Sequence, residues 1–322
     1  MNKNELLIKL ATHLDILPEE VEHILKSAPY RYKHYTLKKR GGGARDIYHP
    51  TPEMKAIQTW LVANIFAALP VHESVYSYRS GLSIADHARV HVKSKFVTKL
   101  DLQSFFPSIA GIQVRAMLRA ANAAKKVALT DDAIATIVRF CCRGDRGGGD
   151  LRLSIGSPSS PAISNAILYG LDENLKKASH HVGVTYTRYA DDLYFSTSDR
   201  DVLAGVERAA RSIIARYGFL KVNEDKTQRT SKKRRVVITG LTATSAGGVS
   251  IGRGRKRKIK TELYLHFSER LPLDKIGTLR GLVSFSMGVE PNFYHSLCLK
   301  FGENRMRAFI AEGGNGGQSA PF

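Results

Sequence analysis

Val184-Thr185-Tyr186-Thr187-Arg188-Tyr189-Ala190-Asp191-Asp192-Leu193-Tyr194-Phe195-Ser196 is the stretch on which the fold turns. Apolar and polar residues alternate on both sides of an adjacent pair of aspartates, the pattern of two strands joined as a hairpin. A hairpin tip carries its side chains past the sheet, so Asp191 and Asp192 can meet a group from a neighbouring strand end. An isolated Asp-Asp pair is ordinarily a solvated turn. The apolar flanks argue instead for a pair held at the rim of a core.

A partner carboxylate is at hand. Phe96 to Leu100 read as a strand that closes on Asp101, in Lys99-Leu100-Asp101-Leu102. Three carboxylates brought together repel one another, and cations relieve the repulsion. Two Mg²⁺ ions, typically about 3.5–4 Å apart, would stabilise the attacking and leaving oxygens of an in-line displacement, with Mn²⁺ as an alternative. Mg²⁺ favours a few carboxylates plus substrate phosphates. Asp101, Asp191 and Asp192 are therefore the candidate catalytic residues and metal ligands.

The rest of the composition points to a polyanionic partner. The 322 residues carry a formal charge of +20, with 49 Lys and Arg against 29 Asp and Glu. Nucleic acid is the commonest partner for such an excess, and an anionic membrane surface comes second. No stretch approaches the roughly 18 apolar residues of a membrane span. The N-terminus lacks the unbroken apolar core and cleavage site of a signal peptide. The three cysteines, Cys141, Cys142 and Cys298, contain no CxxC pair, which argues against a disulfide framework and a zinc site. A reducing cytoplasm is expected. Among the histidines, His87 and His91 stand four apart with nothing to complete a zinc set, and are read as RNA contacts or fold-supporting residues.

Hydrophobic spacing predicts two helices within residues 1–28, an exposed strand at 30–35, a Gly41-Gly42-Gly43 turn and a segment at 45–50. Helices are expected at 53–69, 112–142, 162–178 and 201–217. Lys and Arg crowd residues 226–235 and 253–260, ahead of amphipathic segments at 257–270 and 274–310. The glycine-rich tail from Gly313 reads as flexible.

Four segments carry a specific resemblance. Tyr189-Ala190-Asp191-Asp192 is similar to the YxDD box of reverse transcriptases. Asp101-Leu102-Gln103-Ser104-Phe105-Phe106-Pro107-Ser108-Ile109 resembles their first carboxylate motif. Gly156-Ser157-Pro158-Ser159-Ser160-Pro161 with Asn165 is similar to their Q-G-x-P-x-S-P-x-x-x-N segment, with Ile155 where Gln is usual. Gly218-Phe219 with Asn223, Lys226 and Thr227 resembles a later G-[LF]-x-x-N-x-x-K-T motif. The chain thus resembles a bacterial reverse transcriptase, and within that family the retron type. His87-Ala88-Arg89-Val90-His91 is similar to the retron N-A-x-x-H sequence with His87 for Asn, and Ile238-Thr239-Gly240 to the V-T-G triplet. No maturase or endonuclease extension is apparent.

The resemblance implies an α+β right-hand polymerase fold of fingers, palm and thumb. Residues 1–245 would hold the N-terminal helices, fingers and palm, and 246–322 a mostly helical, RNA-binding thumb. It implies nucleotide-binding positions at Leu102, Phe106, Gly156, Lys226 and Arg45, with Lys39 as a partner of Arg45. Phe106 would be a steric gate, its ring filling the space a ribose 2′-hydroxyl needs, while the neighbouring Phe105 belongs to the core. Gly156 would let the backbone approach the nucleotide. Lys226 would neutralise or protonate the pyrophosphate leaving group. Arg255, Lys256 and Lys258 would join His87 and His91 in binding RNA. The implied partners are a dedicated structured non-coding RNA that serves as primer and template, deoxynucleoside triphosphates, a branched RNA–DNA product, and a toxic effector protein in defence against phage. Alternatives are a group II intron or diversity-generating reverse transcriptase, and an RNA-binding scaffold without activity.

Overall fold

The computed structural model describes residues 1–38, 43–145 and 147–312. Lys39, the first two glycines of the Gly41-Gly42-Gly43 turn and the tail from Gly313 lie outside the described residues. Helices α1 (Lys3–Leu14) and α2 (Pro18–Ser27) lead to a ribbon of β1 (Tyr32–Lys38) and β2 (Ala44–Pro50), then α3 (Pro52–Asn64) and α4 (Ile84–His91). Strand β3 (Phe96–Leu102) is followed by α5 (Phe105–Ser108), α6 (Gly111–Ala123), α7 (Asp131–Cys141), α8 (Ser160–Ile167) and α9 (Tyr169–His180). Next come β4 (Thr185–Tyr189), β5 (Asp192–Thr197), α10 (Arg200–Ala215) and β6 (Val222–Ser231). Three short strands, β7 (Val237–Ile238), β8 (Leu241–Ala243) and β9 (Val249–Ser250), precede α11 (Arg253–Phe267), α12 (Leu273–Val289), α13 (Pro291–Phe301) and α14 (Glu303–Ala311).

The chain divides into two compact units. The first comprises residues 1–81 and 96–229, and the second residues 82–95 with those from 230 onward. The sequence reading set its division at 245. By compactness the break falls after Arg229, and α4 joins the second unit. No helix among the described residues is long and apolar enough to cross a membrane.

In the first unit a four-stranded sheet runs in the order β4-β5-β3-β6. Leu100, Leu102, Tyr186, Leu193 and Phe195 face a core shared with Leu171 and Leu175 of α9 and Leu203, Val206 and Ala210 of α10. Side chains alternate across a strand, so Lys99, Asp101 and Asp192 share the opposite face. The capping carboxylate of Asp199 starts α10 by accepting from the Asp201 and Val202 amides. A separate core joins α1, α2, α3, α6 and α7 through Leu6, Leu10, Ile57, Leu61, Ile134 and Ile137. Cys141 and Cys142 are buried there, as free thiols.

Three segments differ from expectation. The helical region at 112–142 is two helices, α6 and α7, and that at 162–178 is α8 and α9. The basic window from 226 begins inside a strand, β6, whose Asn223 to Arg229 are polar throughout. Such a strand carries no apolar alternation to betray it; charge suits a sheet edge, where it discourages pairing with other chains. In the second unit β7, β8 and β9 form an antiparallel sheet against which α4 packs.

Candidate active site

The hairpin tip meets the end of β3 in register. Asp101 lies opposite Asp192 across the β3–β5 pair, and the Leu102 amide donates to the Asp191 carbonyl at 2.9 Å. This places the three carboxylates at one end of the two central strands. Two lysines, one from β3 and one from the edge strand β6, join them. Lys226 Nζ of β6 stands 3.1 Å from both oxygens of Asp101, and Lys99 Nζ of β3 stands 2.7 Å from Asp192 Oδ1.

Burial and mutual repulsion both disfavour the ionised carboxylates. Asp191 is held above the usual carboxylate range, first by burial and then by the Asp101 charge. Asp192 is pushed up to about 6, chiefly by burial, with Lys99 opposing and Asp191 and Asp101 adding to the rise. Among the described residues no three His, Cys, Asp or Glu side chains form a ready-made metal cage; Asp101 and Asp192 are turned onto their lysines. The set still fits hard divalent cations in donor chemistry, because carboxylate oxygens are their preferred ligands. It fits in charge too, because three carboxylates that meet at one strand end repel one another and a cation relieves that repulsion.

The residues that the resemblance assigns to nucleotide binding differ in burial and backbone setting. Phe105 is buried in the sheet core, whereas Phe106 is half-buried, 5.1 Å away ring to ring, and borders both cores of the unit. Leu102 is buried in the core, so only its backbone could meet a nucleotide, and its amide is already given to Asp191. Gly156 has φ +99°. A Cβ there would sit 3.5 Å from Ile47 Cγ2 and the Tyr48 carbonyl, an ordinary contact. Its backbone dihedral, not shortage of space, therefore requires glycine. Ile155, at the position where Gln was expected, contributes its carbonyl to the Tyr48 amide at 3.3 Å. Arg45 lies on the exposed ribbon opposite Leu37. The Tyr78 phenol is raised by burial and next by the Asp191 charge.

The reverse transcriptase (RNA-dependent DNA polymerase) family matches residues 37–243. The retron Ec83 reverse transcriptase of Escherichia coli is 36% identical over 315 residues, 95% of this chain and 99% of that protein. The retron Ec73 reverse transcriptase of the same species is 31% identical over 85% of this chain and 88% of that one. The retron Mx162 reverse transcriptase of Myxococcus xanthus is 34% identical over 67% of this chain and 48% of its own length. The chain is a member of the retron-type reverse transcriptases. It is an RNA-directed DNA polymerase with the α+β right-hand fold of that family, which works with divalent metal ions.

Residues expected to bind RNA fall into two groups in this reverse transcriptase. His87 and His91 of α4 are buried, at 0% and 1% exposure, with rings stacked edge to face. His87 Nδ1 lies 3.1 Å from the Thr239 hydroxyl. Burial inside the second unit removes them from direct RNA contact and leaves the fold-supporting role. The two short retron-like motifs, far apart in sequence, thus meet at the His87–Thr239 contact. Arg255, Lys256 and Lys258 are all on α11, yet Arg255 donates to the Gly240 carbonyl at 2.7 Å and Lys256 pairs with Glu290 at 2.5 Å. Lys258 stands 3.7 Å from Glu262 and is 55% exposed. Arg253 and Arg257 of the same helix are exposed.

Two further residues of the reverse transcriptase escaped the sequence reading. Gln58 of α3 is fully buried; it accepts from Ser157 Oγ at 2.7 Å and donates to Tyr32 Oη at 3.0 Å and the Phe140 carbonyl at 2.8 Å. It holds the segment that follows Gly156, and its only signal was a polar residue in the apolar stripe of Met54, Ile57 and Leu61. Arg188, just before the YxDD box, is fully buried against Asp172, with bonds of 2.8 and 2.7 Å. An arginine at an inward position of a strand was the available clue.

Proposed function

We propose that this reverse transcriptase copies a dedicated structured RNA into DNA in the cytoplasm, through a site built on Asp101, Asp191 and Asp192. The observation that carries the reading is their convergence: three carboxylates at one strand end, two of them raised above their ordinary range and two paired with lysines. The same three aspartates would hold two Mg²⁺ ions, which when bound supply charge neutralisation at the attacking and leaving oxygens. Until substrate arrives, Lys99 and Lys226 balance the carboxylate charge. Lys226, 46% exposed on its side chain, then meets the pyrophosphate charge as it leaves.

Phe106 closes the sugar site against a 2′-hydroxyl, with Phe105 buried behind it to fix the ring's position. Gly156, with Ser157 anchored on Gln58, lines the nucleotide opposite the carboxylates. Arg45 reaches the triphosphate from the exposed ribbon. In this assignment the ribbon is the fingers, the four-stranded sheet with α9 and α10 the palm, and the helices from α11 onward the RNA-binding thumb. The resemblance to retron proteins extends the reading to an RNA that is both primer and template, a branched RNA–DNA product, and a role beside a toxic effector in phage defence.

The test is extension of a primed RNA template with deoxynucleotides and Mg²⁺. Asp101→Asn, Asp191→Asn and Asp192→Asn should each reduce synthesis by about 10³-fold or more while RNA affinity is kept. Near-normal extension by the Asp191→Asn protein would refute the assignment. Sequencing of nucleic acid co-purified with the protein from its host should return one structured RNA joined to DNA; a random RNA sample would refute the dedicated-template reading.

A further inference from the structure

The turn that carries Asp191 and Asp192 is held from outside the hairpin. Ala190 has φ +55°, a left-handed conformation that is unfavourable for a residue with a Cβ. Such a conformation persists where the surroundings over-determine it. Both polar groups of Ala190 are engaged. Its amide donates to Ser77 Oγ at 2.7 Å, and its carbonyl accepts from Arg188 Nη1 at 3.2 Å. The same Nη1 donates to Asn165 Oδ1 at 3.1 Å, and Asn165 Nδ2 donates to the Ser77 carbonyl at 3.2 Å. The four residues close a ring of hydrogen bonds around the turn.

The ring is rigid for two reasons. Ser77, Asn165 and Arg188 are buried, at 0%, 1% and 0% exposure, so water does not compete for their bonds. Arg188 and the segment leading to Ser77 are also fixed from outside the ring. Asp172 clamps Arg188 with two bonds. Residues 74–76 run beside β4 in a parallel bridge, with the Arg188 amide on the Ser74 carbonyl at 2.8 Å and the Tyr76 amide on the Arg188 carbonyl at 2.9 Å. That bridge sets the Ser77 hydroxyl where the Ala190 amide needs it.

We propose that Ser77, Asn165 and Arg188 are positioning residues for DNA synthesis: their ring fixes the left-handed turn at Ala190 and thereby aims the carboxylates of Asp191 and Asp192. The proposal rests on the reading that these aspartates form the polymerase site. Its logic is geometric. The two aspartates follow Ala190 directly, so a change of the turn to a right-handed conformation would swing both carboxylates away from Asp101.

Ser77→Ala is the informative variant, because it removes one hydroxyl and leaves the buried Arg188–Asp172 pair whole. The full chain is assayed on a primed RNA oligonucleotide with Mg²⁺, with Mn²⁺ binding followed separately by electron paramagnetic resonance. Since misplacement by about 1 Å can cost about 100-fold, kcat should fall by about 10- to 100-fold. The KM for deoxynucleotide and the RNA affinity should stay within about twofold, while Mn²⁺ binding weakens. Ser77→Thr, which keeps the hydroxyl, should restore kcat. Asn165→Ala opens the ring from its other side and should show the same split between kcat and KM, including if Ser77→Ala proves too unstable to assay. Unchanged kcat in a folded Ser77→Ala protein overturns the proposal, as does a joint fall of kcat, RNA affinity and melting temperature. Asp191→Asn run in parallel separates the two levels. If it retains synthesis, the underlying reading fails; if it abolishes synthesis while Ser77→Ala is normal, only the ring fails.

Discussion

Replacing Asp172 with Asn should cost the first unit much of its stability. Arg188 and Asp172 side chains are both 0% exposed and joined by two bonds of 2.8 and 2.7 Å. The Tyr186 hydroxyl adds a third bond to Asp172 at 2.7 Å. Asparagine keeps the shape but removes the countercharge, leaving a guanidinium buried without compensation. Breaking a buried pair in this way costs about 3–5 kcal/mol. With a urea slope of about 3 kcal/mol per M, the unfolding midpoint should fall by about 1–1.7 M. The chain has one tryptophan, Trp60, half-buried against the helical core of the first unit, so its fluorescence reports the unit that holds the pair. Replacing both members, Asp172→Leu with Arg188→Met, removes the stranded charge and should recover most of the midpoint. DNA synthesis should stay low in that double variant, because the Ala190 carbonyl has lost its donor. A midpoint shift below about 0.3 M for Asp172→Asn, or a double variant as unstable as the single one, would refute the reasoning.

Phe106→Ala should raise ribonucleotide over deoxynucleotide incorporation by about tenfold or more, whereas Phe105→Ala, which empties a buried core site, should mainly destabilise the protein; the reverse pattern in competition and melting assays would move the gate by one residue. Burial holds His87 down to about 3 and His91 to about 4. Both values lie below those of the unfolded chain, near 6.5, so the unfolded state takes up protons first and stability is lost as pH falls below about 6.5. His87→Asn removes one of these groups, so its melting temperature should drop less than that of the wild-type protein between pH 7 and pH 5; equal drops would count against the buried neutral histidine. Arg257→Ala with Lys258→Ala on the exposed face of α11 should weaken RNA binding and reduce the log–log salt slope by about 1.4, at about 0.7 per phosphate, and an unchanged slope would leave that face solvated.

Much of the catalytic end was legible in the chain because its signals are local. Alternation around Asp191 and Asp192 pointed to the hairpin, and a strand ending at Asp101 offered the third carboxylate; the structure sets Asp101 opposite Asp192. Of the two adjacent phenylalanines, Phe105 is buried and Phe106 half-buried, which agrees with the core position that the family resemblance implied for Phe105. Charge and motif order were enough to name a nucleic-acid polymerase, since both are properties of the unfolded string of residues.

What the tertiary structure decided are the long-range pairings. Lys226 was marked by its motif resemblance and Lys99 by nothing in the sequence, and only strand order brings them onto Asp101 and Asp192. The strand β6 was hidden because an edge strand needs no apolar alternation. His87 and His91 read as RNA contacts or fold-supporting residues, and it is packing that buries both and sets His87 against Thr239. Arg255 and Lys256 read as part of a phosphate-binding run, and only the fold shows that they also meet the Gly240 carbonyl and Glu290. Ser77, Asn165 and Arg188 meet around Ala190 from three separate segments. A hydrogen bond depends on distance and direction in space, and no local pattern records which distant segment will supply its other half.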